Sequence, residues 1–241
     1  MSANLRIAVR APNWLGDAIM ATAFLSELKE AHPGARVSVF CRAAHRPLFE
    51  SAGLSAEAVA VDEPRFSLGR LARRLREGRY ELGYILPLSF SSALAFAWGA
   101  VRRRVGHGAQ GRSFLLTEAV SLDARFHYVR RYLSLIGREG LADSALRLNF
   151  PLTEAGRSEW ARLKASWGVS LKAPFLAVAP GSQAAARRWA PERFALVAGR
   201  FVKETGGSVL LVGARSDRAA AEEVRRHAPG GAFQRLRGNV A

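Results

Sequence analysis

Cysteine is almost absent: Cys41 stands alone in 241 residues. An intramolecular disulfide is excluded, which suits a reducing cytoplasm. Lysine is nearly as scarce, at Lys29, Lys164, Lys172 and Lys203 only, while arginine supplies the rest of 36 basic residues set against 20 acidic ones. The net charge of +16 favours an anionic partner such as nucleic acid, anionic lipid or a phosphorylated substrate. The arginines are scattered, however, as in Arg73, Arg74, Arg76 and Arg79 or Arg102 to Arg104. A GC-rich genome produces the same bias, so charge alone names no partner. No G-x-x-x-x-G-K-[ST] loop occurs, which excludes a P-loop NTPase, and no G-x-S-x-G, which excludes a hydrolase elbow. His32, His45, His107, His127 and His227 show no metal-ligand spacing, so no metal site is expected. The basic residues are not interleaved with an aromatic RNA-binding signature, and nucleic acid is not the expected partner. The first apolar run is short and broken by Arg10, Asn13 and Asp17, unlike a signal peptide.

Charge is also missing from Leu82 to Val101, a run long enough to cross a bilayer and followed by Arg102, Arg103 and Arg104. Pro87, Ser89, Ser91 and Ser92 interrupt it. A strand over Leu82 to Leu86, a serine turn and a helix over Ser92 to Trp98 account for it better. Hydrophobic residues make up 49% of the chain, enough for a substantial core. Short apolar runs alternate with amphipathic segments, the mark of βαβ units and a parallel sheet. The pattern predicts strands at Leu5 to Val9, Val37 to Cys41, Ala58 to Val61 and Arg103 to Gly106. Helices are predicted over Asp17 to Ala31, Leu68 to Arg76, Tyr128 to Ile136 and Glu154 to Trp167. After Ala173 and Pro174 the pattern restarts with strand Phe175 to Ala179, helix Pro191 to Glu204, strand Val209 to Val212 and helix Asp217 to His227. The expected organisation is an α/β chain of two domains, residues 1–172 and 173–241. Two strands cannot easily bury both faces of a parallel sheet. Either they join the first sheet or the second domain is incomplete in this chain.

Three loops could carry chemistry. Ala11-Pro-Asn-Trp-Leu-Gly-Asp17 follows the first strand, where open α/β sheets bind their ligands. Asp17 opens a helix whose dipole suits its charge. It is either the N-cap or a general base facing a cleft. Ala179-Pro-Gly-Ser-Gln-Ala-Ala-Ala-Arg-Arg-Trp189 also joins a strand to a helix. Gly181 and Ser182 could bring backbone amides and a hydroxyl to an anion that Arg187 and Arg188 neutralise. The alternative is an ordinary loop with two exposed arginines. Gly106-His-Gly-Ala-Gln-Gly111 matches the dinucleotide fingerprint, but Asp123 and Glu139 are badly spaced as ribose acids against the usual separation of about 20 residues. It reads as a glycine-rich connection.

Together these residues resemble the ADP-heptose–lipopolysaccharide heptosyltransferase family, closest to its heptosyltransferase II branch. The matching stretches include APNWLGDAIMATAFLSELKEAHPGARVSVF, CRAAHRPLFE, YELGYILPLSFSSALAFAWGAVRRRVGHGAQGRSFLL, PGSQAAARRWAPERFA and VLLVGARSD. The resemblance implies two facing Rossmann-like domains of the GT-B type, the second incomplete here. It implies inverting, metal-independent transfer without a cofactor, from an ADP-heptose donor to a lipopolysaccharide inner-core lipid acceptor. Asp17 matches the family's catalytic base. Asn13, Ser89, Ser92 and Arg112 would bind the acceptor, and Gly181, Ser182, Arg187 and Arg188 the donor. Many relatives carry lysine where Arg187 aligns. The resemblance further implies a cytoplasmic protein with peripheral contact at the inner face of the inner membrane. Relatives continue with an Asp-Ser/Thr-Gly-x-x-His donor motif that has no counterpart here. A related transferase using another nucleotide sugar, or a truncated non-catalytic module that binds acceptor or partner, are the alternatives.

Overall fold

The structure, a computed structural model, describes residues 5–51, 57–61, 68–167, 174–182 and 184–228. The chain divides into two compact units, Met1–Leu152 and Thr153–Ala241. That boundary lies earlier than the expected 172/173, so the helix Glu154–Trp167 belongs with the second unit.

The first unit is built on six parallel strands. They are β1 (Arg6–Arg10), β2 (Arg36–Cys41), β3 (Glu57–Ala60), β4 (Leu82–Ile85), β5 (Arg103–His107) and β6 (Glu118–Val120), in the spatial order β3-β2-β1-β4-β5-β6. β4, in the middle, is buried along its whole length, as a strand covered on both faces must be. Side chains alternate between the faces. Ile7, Val9, Val37, Val39, Leu82 and Tyr84 pack with the helices α1 (Leu15–Ala31), α2 (Arg46–Ser51) and α5 (Tyr128–Ser134). Ala8, Phe40 and Ile85 pack instead with α3 (Leu68–Gly78) and α4 (Phe90–Trp98). α1 is the largest contributor, burying Phe24, Leu25 and Leu28 among others. Each such side chain stabilises the fold by about 1.5–3 kcal/mol. Gly83 is a close-packing position, because a Cβ there would run into the Phe96 ring and Val101. The segment after α5 returns along α1, where the Asn149 amide donates to Thr22 Oγ1 at 3.0 Å.

The uncharged run folds as β4 and α4, and no described helix is long and apolar enough to cross a membrane. The fingerprint-like glycines form a turn between β5 and β6. Gln110 and Gly111 have φ of 54° and 69°, and a short 3-10 turn follows instead of a helix. α2 and β6 were not expected. β6 is an edge strand of three residues, exposed or half-buried, so no apolar alternation marks it.

The second unit holds α6 (Glu154–Trp167), β7 (Phe175–Val178), α7 (Pro191–Thr205), β8 (Ser208–Leu211) and α8 (Arg218–His227). Among the described residues, β7 and β8 pair with each other in parallel and do not join the first sheet. Pro191 occupies the first turn of α7, and Gly206 closes it in the left-handed conformation at φ 65°. The core is small: Val178, Ala198 and Val209 are backed by half-buried Leu176, Phe194, Phe201, Val202 and Leu211. Phe175, Leu196, Val197 and Val212 are exposed.

A two-stranded sheet over so small a core opens more readily than the six-stranded one. Amide hydrogen exchange is therefore expected to be at least about tenfold faster in β7 and β8 than in β1 and β4. Equal protection in both sheets would show that the second unit's core is as stabilising as the first's.

Candidate functional site

In the first unit, the connection after β1 leads to β2 on one side, while β4 lies on the other. The carboxyl ends of β1 and β4 therefore border the topological switch point, where open α/β sheets form a ligand crevice. The loops that follow these two strands carry Asn13 and Ser89, and the first turns of the helices they lead into carry Asp17 and Ser92.

Arg10 ends β1 and is only 2% exposed. Its guanidinium donates to the carbonyls of Ala11 and of Phe40, the latter at 3.1 Å, and to Asn13 Oδ1 at 2.6 Å. The Ala11 amide also donates to the Phe40 carbonyl at 3.0 Å, and the Leu86 amide to the Arg10 carbonyl at 3.2 Å. The loop bearing Asn13 is thereby fixed to β2 and β4 before α1 begins.

Asp17 is not the N-cap of α1. Trp14 takes that place with an extended backbone, and no side chain caps the helix. Asp17 lies within the first helical turn, half-buried, where the helix dipole favours its charge. Among the described residues it makes no salt bridge. Tyr132 of α5 lies close enough to feel it: burial pushes the Tyr132 phenol well up, and the Asp17 charge pushes it further. The Tyr132 hydroxyl therefore stays protonated and presents no competing charge.

The second loop is held from below. Ser89 is the N-cap of α4, and its hydroxyl lies 2.8 Å from that of buried Ser92. Arg112 is fully buried. It donates to the carbonyls of Pro87 at 2.5 Å, Ser89 at 3.1 Å and His107 at 3.0 Å. Burial lowers its pKa to about 10, so it remains charged at neutral pH. Arg112 thus lies beneath the loop after β4 rather than on its surface, although the sequence reading placed it facing an acceptor. The reason is that an arginine near the base of a loop can pair with several carbonyls at once. Nearby, buried His107 approaches the Arg131 carbonyl with Nε2 at 2.9 Å, tying β5 to α5. Burial holds its pKa below the usual imidazole value. Trp14, Leu15 and Phe90, at the starts of α1 and α4, and Phe114, in the 3-10 turn after β5, are exposed, and the rings of Phe90 and Phe114 lie 6.0 Å apart.

In the second unit, the loop after β7 contains a 3-10 turn, Ala185–Arg187. Arg188 Nε donates to the Ser182 carbonyl at 2.8 Å, which ties both ends of the loop together. Arg187 is exposed and makes no ion pair among the described residues. Gly181 is required by contact: a Cβ there would fall on the carboxyl group of Asp217, in the turn after β8. Asp217 Oδ2 accepts from the Ala214 amide at 2.9 Å. Gln183 lies outside the described residues.

The sequence reading missed Arg10, His107, Tyr132 and Asp217. A charged residue closing an apolar strand, as in Arg6-Ile-Ala-Val-Arg10, was the available signal for the first. The others depend on which chain segments meet.

Removing the Arg112 guanidinium withdraws the donors that hold the Pro87 and Ser89 carbonyls. Arg112→Met is expected to lower stability by about 2 kcal/mol, since each buried carbonyl left unpaired costs about 1–3 kcal/mol. Arg112→Lys should rescue little of this, because a point ammonium cannot match the planar fork. Urea denaturation measures both, and an unchanged midpoint in Arg112→Met would remove Arg112 from this role.

Residues 68–239 match the model of Glycosyltransferase family 9 (heptosyltransferase). The match takes in the Ser89 and Arg187 loops but not Asp17. Lipopolysaccharide heptosyltransferase 2 of Salmonella typhimurium is 30% identical over 232 residues, covering 91% of this chain and 66% of that protein. The chain thus spans just under two thirds of that relative's length. The structure of Escherichia coli ADP-heptose LPS heptosyltransferase II superimposes with a TM-score of 0.79 at 27% identity, over 95% of this chain and 70% of the other. A family 9 glycosyl transferase from Veillonella parvula shares the fold with a TM-score of 0.81 at 22% identity, over 93% and 66%. The α/β fold is that of the GT-B heptosyltransferases. With 172 of its residues matched by the family model and this fold, the chain belongs to glycosyltransferase family 9, the heptosyltransferases.

Proposed function

We propose that this chain takes part in moving heptose from ADP-heptose onto the inner core of lipopolysaccharide, with Asp17 as general base. The observation that carries this reading is the Asp17 carboxylate, half-buried at the switch-point crevice and without a salt-bridge partner among the described residues. A half-buried carboxylate facing a crevice can serve as a general base. It accepts the proton of an acceptor hydroxyl as that oxygen bonds to the anomeric carbon of heptose. The bond from that carbon to the diphosphate breaks, and ADP leaves with the electron pair. Direct displacement inverts the anomeric centre. Asn13, Ser89 and Ser92 contact the acceptor, while Arg112 acts through the loop it supports. Gly181, Ser182 and Arg188 shape the donor loop, and Arg187 meets the charge that grows on the diphosphate. This scheme needs no metal, since guanidinium groups provide the positive charge. The acceptor is a membrane lipid, so we infer a cytoplasmic protein in peripheral contact with the inner face of the inner membrane, a surface that the +16 charge suits.

Asp17→Asn should cut turnover at least about a hundredfold, the scale of losing a general base. Folding should survive, because Asp17 caps nothing. Steady-state transfer assays check the rate and circular dichroism the fold. Near-normal turnover would leave Asp17 as a helix-dipole charge only. Arg187→Ala should weaken ADP-heptose binding by about tenfold, the effect of one charge-assisted contact, and leave acceptor affinity intact. Calorimetry with each substrate separates the two. A loss of acceptor affinity alone would reverse the assignment of the halves.

A further inference from the structure

Arg10 determines which end of the Asn13 side chain meets the crevice. A guanidinium has donors and no acceptor. The Asn13 amide therefore turns its oxygen toward Arg10, at 2.6 Å from the guanidinium nitrogen. The opposite orientation would set NH₂ against NH₂. Arg10 itself has little room to turn, being 2% exposed and bonded to the carbonyls of Ala11 and Phe40. Asn13 is exposed, and its amide nitrogen has no partner among the described residues. What it offers to the crevice is thus a pair of N–H donors and no acceptor. Asp17, four residues on, offers only acceptor oxygens when ionised.

We propose that Arg10 is a positioning residue that locks Asn13 as a hydrogen-bond donor, and that Asn13 selects acceptor sugars presenting an oxygen lone pair beside the hydroxyl that Asp17 deprotonates. The inference rests on the reading of Asp17 as the base. It adds a division of labour within one loop: Asp17 takes the proton, and Asn13 recognises a neighbouring oxygen that keeps its lone pair. An acceptor lacking that oxygen loses the contact and leaves the amide nitrogen unpaired, which is how a polar site rejects a deoxy analogue.

The near-isosteric variant Asn13→Asp keeps an oxygen toward Arg10 and exchanges the donor for a second acceptor. Its melting temperature should match or exceed that of the unaltered chain. Its acceptor affinity, read by calorimetry with the inner-core acceptor, should fall at least about tenfold, and its acceptor KM should rise more than its kcat falls. ADP-heptose affinity should not change. Asn13→Ala should show the same loss of acceptor affinity without the added charge. Arg10→Lys keeps one donor toward Asn13 and should fall between the unaltered chain and Asn13→Ala in acceptor affinity. Normal acceptor affinity in Asn13→Asp would overturn the donor role. Normal affinity in Arg10→Lys and Arg10→Met, with both Asn13 variants impaired, would overturn the role of Arg10. Failure of the base assignment looks different: Asp17→Asn would turn over normally, whatever the Asn13 variants do.

Discussion

Two buried guanidinium groups hold the open end of the first sheet together. Arg10 bonds to the Ala11 carbonyl after β1 and the Phe40 carbonyl of β2, and Arg112 to the Pro87 and Ser89 carbonyls after β4 and the His107 carbonyl of β5. A parallel sheet satisfies its own backbone as far as its last residue and then releases each chain in a different direction. The loops that leave β1 and β4 thus begin with unpaired acceptors in a region screened from water. Burying two cations there is costly, and the cost is offset because each guanidinium meets several carbonyls at once. The remainder of the site inherits its shape from this arrangement: Asn13 hangs from Arg10, and Ser89 and Ser92 stand on Arg112.

The second unit works by other means. Among its described residues no arginine is buried. Its loop after β7 is closed by Arg188 on the Ser182 carbonyl and by the seating of Gly181 against Asp217. These are exposed contacts over a thin core, so the loop is defined more by its own bonds than by the sheet beneath it. A loop of that kind adapts to a ligand more easily than a rigid cradle does, at a cost in ordering when one binds.

Most of the fold could be read from the chain because parallel strands covered on both faces leave unbroken apolar runs, as in Ile7 to Val9 and Leu82 to Leu86. The helices of both units were visible in their leucine spacing and in Pro191. β6 was not, since an edge strand with exposed Glu118 carries no apolar pattern, and α2 was too short to declare a period. Asp17 could be singled out by its place after the first strand. Its relation to the helix could not, because capping depends on backbone angles, and Trp14 holds the extended conformation that a capping aspartate would have taken. Arg112 shows the deeper limit. An arginine in a loop looks alike in sequence whether it reaches outward to an anion or inward to carbonyls. The choice is made by the neighbouring strand ends, which only the folded chain brings near.

The contact between Gly181 and Asp217 joins positions that are far apart in sequence. Any side chain at 181 collides with the Asp217 side chain. Position 181 therefore cannot take a side chain without a shift of Asp217 or of the loop that carries Arg187. The geometry ties the two positions together: room for a side chain at 181 would come from a shorter residue at 217.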